Sequence, residues 1–204
     1  MAAVAESFFG THLYARERGE TSLLDEPGFE VRRAGGSVHT LQMWGRLRPG
    51  WSGSLAEGLS ANRASLVRGF ARKFGAMRWL AEFTLERTPG GSDLLGLDYL
   101  ELAARPLPSG RRRPIRLSGF KLAPSPKHGG SLLLEIEGED EVGFLGALLM
   151  RLAFLSLFPE ELHIDTRDGR ALDRLHLVGI GRSQPTAATA EALEAMLEGL
   201  VRAR

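Results

Sequence analysis

The feature that most constrains this chain is an internal repeat with a period of 93 residues, from Gly50 to Gly143. The segment Gly50-Trp51-Ser52-Gly53-Ser54-Leu55 aligns with Gly143-Phe144-Leu145-Gly146-Ala147-Leu148, and Leu59 aligns with Leu152 at the same offset. A glycine, an aromatic residue, a second glycine and two leucines therefore recur in step. Because a repeat constrains architecture more firmly than local propensity does, we expect one folding plan used twice.

The segments that flank the repeated motif predict the order β-α-β-β-α in each copy. A strand-like run precedes each glycine, at 38–46 and 132–137, and a helix follows it. Two further strands are expected in each copy, and Asp168-Gly169 is a hairpin signal between those of the second copy. Closing helices are predicted at 92–104 and 186–202.

A ferredoxin-like βαββαβ unit also needs a fourth strand after its second helix. Residues 115–122 are the candidate in the first copy, whereas the sequence stops at Arg204 before the second copy has one. The strand-like Phe29-Glu30-Val31 is available for that missing edge, and the Pro- and Gly-rich residues 124–130 predict a boundary. We therefore predict an α+β fold with antiparallel sheets, helices on one face, and two tandem ferredoxin-like domains at 37–123 and 131–204 after an extension at 1–36.

Composition excludes several classes of function. The chain has 26 Lys and Arg against 25 Asp and Glu, so its net charge of +1 gives no long-range attraction for nucleic acid or an anionic membrane. The absence of cysteine excludes disulfides, thiol catalysis and cysteine-ligated metal sites. The first ten residues lack a signal-peptide pattern, and the apolar run 142–158 is interrupted by Arg151 and too short for a bilayer. We expect a cytoplasmic protein without nucleic-acid or membrane partners.

The two strand-to-helix turns carry a family resemblance. Arg48-Pro49-Gly50-Trp51 and Asp140-Glu141-Val142-Gly143-Phe144 resemble the Asp-x-Pro-Gly turn of ACT domains, which are regulatory modules that typically bind amino acids. The first turn has Leu47 where aspartate is usual, and the second has Val142 in place of proline. A chain of two such units is also distantly similar to the glycine-cleavage-system transcriptional repressor family. The resemblance implies a non-catalytic, cofactor-free protein that binds an amino acid and acts as a homodimer or with a protein partner.

A ligand site at such a turn has a physical basis. Glycine lets the backbone approach a ligand, and the unpaired N–H groups of the next helical turn favour a carboxylate. By resemblance the ligand lies where the turn meets the neighbouring unit, which gives a first-copy site of Arg48, Pro49, Gly50, Trp51, Ser52 and Gly53. Within it, Ser52 is a candidate hydroxyl donor and Trp51 an apolar wall.

The second turn contributes Asp140, Gly143 and Phe144 as candidate ligand-binding residues. It is the poorer site for an anion, because three successive acidic residues, 139–141, lie beside the helix start. For both turns a purely structural role is the alternative, in which the glycines permit a tight turn and the aromatic rings pack in the core or at an interface.

Two other functions are open at this point. Gly50 to Ser54 nearly matches the G-x-S-x-G motif of a serine esterase, which would need Asp93 or Asp98 together with His128 beside Ser52. A protein-interaction module would instead use the sheet edge left exposed by the missing strand.

Metal and nucleic-acid sites are not predicted. His163 and Asp165 share one face of a strand and His176 lies on the next, but two ligands on one strand are too few for a metal site. The basic cluster Arg111-Arg112-Arg113 with Arg116 lies in a turn-rich connection and is interpreted as a solvated loop.

Overall fold

The computed structural model describes residues 26–74, 78–106, 114–141 and 143–202, and their eight strands form one antiparallel sheet. The first four strands are β1 (Gly28–Gly35), β2 (Val38–Arg46), β3 (Ala64–Phe74) and β4 (Arg78–Arg87). The last four are β5 (Leu117–Ser125), β6 (Ser131–Glu139), β7 (Phe158–Arg167) and β8 (Arg170–Val178). Their order across the sheet is β1-β2-β4-β3-β7-β8-β6-β5.

The described residues contain four α-helices: α1 (Trp51–Ala61), α2 (Tyr99–Ala104), α3 (Phe144–Phe154) and α4 (Ala187–Arg202). Burial alternates along β2 and β6, so one face of these strands carries the core that the helices cover. Helices α1 and α3 pack against each other. The fold is therefore α+β, as the sequence predicts. No helix within the described ranges combines the length and apolarity that a membrane span requires.

Matching backbone conformations occur 93 residues apart in the first half (Gly28–Ala104) and the second half (Leu117–Arg202). Gly50 (φ 80°, ψ 4°) and Gly143 (φ 93°, ψ 2°) both adopt the left-handed conformation at the start of an 11-residue helix. Two residues beyond each helix, Arg63 (φ 54°) and Ser156 (φ 56°) are also left-handed. A conformation that non-glycine residues seldom adopt thus recurs at matched positions.

The outer strand of each half precedes the glycine turn, which corrects the predicted strand assignment. Strand β5 pairs with β6, so the expectation that 115–122 completes the first copy is wrong. Strand β1 pairs with β2, so Phe29-Glu30-Val31 forms the edge of the first half and not of the second. Each outer strand is joined to its partner by a short turn, so this pairing costs little loop-closure entropy. The predicted limits at 36/37 and 123/131 fall within these two hairpins.

The halves meet at the centre of the sheet, where β3 pairs with β7 from Arg68↔Asp165 to Arg72↔Glu161. The ion pair between Arg68 Nε and Asp165 Oδ1 (3.3 Å) crosses this junction on the open face of the sheet. The buried pair between Lys73 Nζ and Glu160 Oε1 (2.8 Å) crosses it as well. The side-by-side pairing of sheets therefore occurs within one chain.

The predicted helix at 92–104 is interrupted. A single 3-10 turn, Leu94–Gly96, precedes α2, and an aspartate caps each: Asp93 accepts from the Leu95 N–H (3.2 Å) and Asp98 from the Glu101 N–H (2.9 Å). The Asp98 cap marks the start of a separate helix. Its side chain accepts the Glu101 N–H, which in a continuous helix would donate to a backbone carbonyl of the preceding turn. Two further expectations are confirmed: α4 matches 186–202, and Asp168 (φ 51°) with Gly169 (φ 72°) forms the β7–β8 hairpin turn.

Candidate ligand site at the glycine turns

The two glycine turns use the same backbone hydrogen bonds. The first amide of each helix bonds back into the turn, from Trp51 N to the Arg48 carbonyl (3.2 Å) and from Phe144 N to the Glu141 carbonyl (2.8 Å). The fourth amide bonds to the glycine carbonyl, at 3.1 Å in α1 and 3.0 Å in α3. Neither helix has a side-chain cap in the described residues, so the amides of residues 52–53 and 145–146 are the ones available to a ligand.

The first turn is filled by groups of the same chain. Arg48 Nη1 donates to the Ala104 carbonyl (2.6 Å) and Nη2 to the Arg105 carbonyl (2.8 Å), which are exposed groups at the end of α2. Ser54 Oγ donates to the same Arg105 carbonyl (2.7 Å). Arg48, which the sequence assigns to the ligand site, thus holds the closing helix of its own half.

The remaining candidates of the first turn are largely buried. Trp51 is 1% exposed and packs edge-on against Trp79, with ring centroids 5.3 Å apart, and against Phe83. Its ring is part of the core and does not form the wall of an open cleft. Ser52 and Gly53 are buried too, whereas Pro49 is exposed and Gly50 partly so.

The second turn places a carboxylate at the start of its helix. Asp140 is half-buried, its N–H donates to the Gly169 carbonyl (2.9 Å), and its Oδ2 accepts from Thr166 Oγ1 (2.9 Å). Burial raises the pKa of Asp140, and the Thr166 hydrogen bond partly offsets this. Phe144 is 3% exposed and lies over Gly138, where a Cβ would be 3.1 Å from its ring. The aromatic residue is therefore structural here as well.

A small cleft separates the second turn from the first half. Its volume is about 30 Å³, which is room for one water molecule. Asp140, Gly143 and Gly146 line one side, and Leu59 of α1 and Ser65 of β3 line the other. The turn of one half thus faces the helix end of the other half. The resemblance placed a ligand where a turn meets the neighbouring unit, but the sequence did not identify the residues of this opposite wall.

A second carboxylate lies below this turn and was also missed from the sequence. Asp173 of β8 is 3% exposed, and its Oδ1 has no hydrogen-bond partner among the described residues. The pKa of Asp173 is raised to about 7, mainly by burial and also by the charges of Asp140 and Asp165, while a hydrogen bond from the Asp165 N–H lowers it.

The structure does not bring together the residues of an esterase. Asp93 and Asp98 cap helices, while His128 lies in the second half with its Nε2 3.3 Å from Glu161 Oε2. Within the described residues no hydrogen bond joins Ser52 to any of these three side chains, so they do not form the arrangement that the esterase motif requires.

The histidines form a different cluster from the one considered in the sequence. His163 Nε2 lies 3.1 Å from Glu161 Oε1, and this hydrogen bond is the main reason why the pKa of Glu161 falls to about 2. His176 Nδ1 contacts Ser131 Oγ (3.3 Å), and Asp165 pairs with arginines instead. Among the described residues, no group of three His, Asp or Glu side chains is placed to hold a metal ion. The cluster Arg111-Arg112-Arg113 lies outside the described residues.

Comparisons with known proteins add one structural similarity. No protein-family model matches the chain, and no curated protein matches it. Among solved structures, the crystal structure of aspartate kinase from Synechocystis is similar with a TM-score of 0.46 and 12% sequence identity. That match covers 80% of this chain and 27% of the other, so the chain spans about a quarter of the length of that protein. The functional interpretation therefore depends on the geometry of the turns.

Proposed function

We propose that this chain is a non-catalytic regulatory protein that binds an amino acid in the cleft beside the second turn. The observation that carries the proposal is that hydrogen-bond donors and a carboxylate lie at the same turn. The free amides at the start of α3 favour a carboxylate, and the half-buried carboxylate of Asp140 favours an ammonium group. A zwitterion matches both.

The chemistry of the two turns favours the second one as the site. At the first turn the Arg48 guanidinium already bonds to two carbonyls, and Leu47 stands where the second turn has Asp140. The first turn therefore offers no anionic partner for an ammonium group. The second turn has Glu141 in place of Arg48, so no guanidinium fills its cleft.

The position of the cleft supports a regulatory role. Its walls come from both halves, and its volume of about 30 Å³ is too small for an amino acid. A ligand must therefore select an arrangement in which the second turn and α1 lie further apart. Binding changes the population of that arrangement by the ligand's differential affinity for it.

We also propose that the two halves are duplicated ferredoxin-like units with their fourth strand moved to the front. Each half then has the order ββαββα, with limits at Gly28–Ala104 and Leu117–Arg202. The alternative of a protein-interaction module assumed a sheet edge left exposed by a missing strand. That assumption does not hold, because each half has its own outer strand. A homodimer remains a prediction.

Thermal unfolding in the presence of each of the twenty amino acids tests the proposed function. A ligand should raise the Tm with its concentration, because binding stabilises the folded state by RT ln(1 + [L]/Kd). The deaminated and the decarboxylated analogues of that amino acid should both lose most of the shift. D140N should abolish it, whereas D168N, which changes an exposed carboxylate at a hairpin tip, should not. A wild-type Tm that no amino acid moves, or an unchanged shift in D140N, would overturn the proposal.

A further inference from the structure

We propose that Asp173 is a proton switch beneath the second turn, and that its protonation state sets how firmly the start of α3 is held on the sheet. The inference deepens the proposed function by adding a regulation of the same site. Its connection to a ligand rests on that function, but the switch itself is a property of the unliganded chain.

The strand register puts Asp173 under the start of α3. Asp173 pairs with Ile136 of β6, and two residues along β6 is Gly138, on which the Phe144 ring rests. Alternate residues of a strand share a face, so Asp173 lies on the same side of the sheet as Phe144. At 3% exposure it is sealed between the sheet and the helix.

Among the residues that the structure describes, no cation is coupled to Asp173. The charged groups coupled to it are Asp140 from the turn and Asp165 from β7, and both are acids. Its β6 neighbour Ile136 is apolar, and its Oδ1 has no hydrogen-bond partner in the described ranges. A buried carboxylate with acidic neighbours costs free energy, so the group keeps its proton until the solution is near neutral.

The first half shows that the fold does not need this acid. The position matched to Ile136 is Met43, and its ladder partner is Ala81, which is buried. The position matched to Asp140 is Leu47, which is buried as well. Both acids therefore occur where the same backbone elsewhere in the chain accepts an apolar residue. An expensive titratable group that packing does not require is typical of a functional site.

Protonation changes the charge under the turn by one unit. With its proton, Asp173 is neutral and α3 stays packed on the sheet. Without it, the buried charge repels Asp140 and draws water, which loosens the first turn of α3 and opens the cleft. An ammonium group bound at Asp140 would offset the new charge. Ligand affinity should therefore rise with pH up to the midpoint of Asp173 and then level off, because binding releases a proton only below that midpoint.

Amide hydrogen exchange of the unliganded full chain tests the switch. After correction for intrinsic exchange rates, protection of residues 143–149 should fall by up to about tenfold per pH unit as the pH rises toward the midpoint, and it should level off above the midpoint. D173N should make this profile flat, and D168N should leave it as in the wild type. D140N should move the midpoint to lower pH, as followed by carbon NMR of the Asp173 carboxyl, because it removes a coupled negative charge.

A flat wild-type profile would overturn the switch, as would D173N with the wild-type profile. These outcomes do not depend on any ligand. If protection follows the expected pattern but no amino acid binds, the switch stands and the proposed function fails. If an amino acid binds and the exchange profile is flat, the proposed function stands and the switch fails.

Discussion

The two glycine turns share a backbone and differ in chemistry. In both, a left-handed glycine starts an 11-residue helix and an aromatic ring packs into the core. At the first turn, Arg48 closes the site by bonding to the end of α2. At the second, Asp140 faces a cleft and Asp173 lies below it. The comparison teaches that glycine and an aromatic residue fix the turn, while neighbouring positions decide what the turn can bind.

Replacement of the buried aromatic residues should have the largest effect. W51A should lower the free energy of unfolding by about 3–5 kcal/mol, because it removes a ring packed against Trp79 and Phe83 and leaves a cavity. F144A should cost a similar amount, and it should also change ligand binding, because Phe144 lines the cleft. Urea denaturation measures both, with the half-exposed L95A as a control expected to stay within about 0.5 kcal/mol. A small loss in W51A would show that the first turn is open and would break the comparison.

The next largest effect should be on the pH dependence of the free energy of unfolding. It should distinguish the halves, because the matched position of Asp173 in the first half is Ala81, which does not titrate. The pKa of Asp173 is raised to about 7 in the folded chain, so between about pH 4 and 7 the unfolded chain binds fewer protons. Stability from this group therefore falls as pH rises, by at most about 1.4 kcal/mol per pH unit, and levels off above pH 7. D173N should remove the fall and stabilise the protein at neutral pH.

Glu161 contributes with the opposite sign in another pH window. Its pKa is lowered to about 2, so its stabilisation is present above its ordinary pKa and is lost as pH falls toward 2. Urea denaturation from pH 3 to 8 should show both limbs in the wild type and only the acidic limb in D173N. A D173N curve that still falls between pH 4 and 7 would contradict the assignment to Asp173.

The sequence predicts the local features of this fold better than its strand pairing. The repeat predicted the glycine turns and the inner strands, because spacing and periodicity are local properties. It misassigned β1 and β5, because periodicity identifies a strand without naming its partner. The turn at 126–130 has the composition of a linker and of a hairpin loop alike.

The candidate site was less predictable than the fold. Residue type alone suggests that Leu172 is buried and Asp173 exposed, whereas Leu172 is 37% exposed and Asp173 lies on the buried face of β8 with Leu175 and Leu177. Trp51 was assigned to a ligand wall, because an aromatic residue after a glycine looks the same in sequence whether it faces the core or a cleft. Burial depends on the neighbouring half, which a local pattern does not contain.

Glycine replacement should have a smaller effect and tests whether the two turns share a backbone. A Cβ at Gly50 would meet no atom within 4 Å, so G50A introduces only the strain of a left-handed alanine, about 1–2 kcal/mol. G143A should cost about as much, since its φ of 93° lies in the same region. Thermal unfolding of both variants makes the measurement. A large difference between them would mean that one turn is held by contacts that the other lacks.

Replacement of the exposed charged residues at the turns should have the smallest effect on stability, and it should distinguish the two turns most clearly. R48A removes two hydrogen bonds to the carbonyls of Ala104 and Arg105, but the side chain is solvent-accessible, so we expect a loss of about 1 kcal/mol. The loss should be local, with faster amide exchange at the end of α2. E141A removes a negative charge near a helix start and should cost about 0.3 kcal/mol without any change in α2. If R48A leaves the amide exchange of α2 unchanged, Arg48 does not hold this helix and can bind a ligand. The first turn would then again be a candidate binding site.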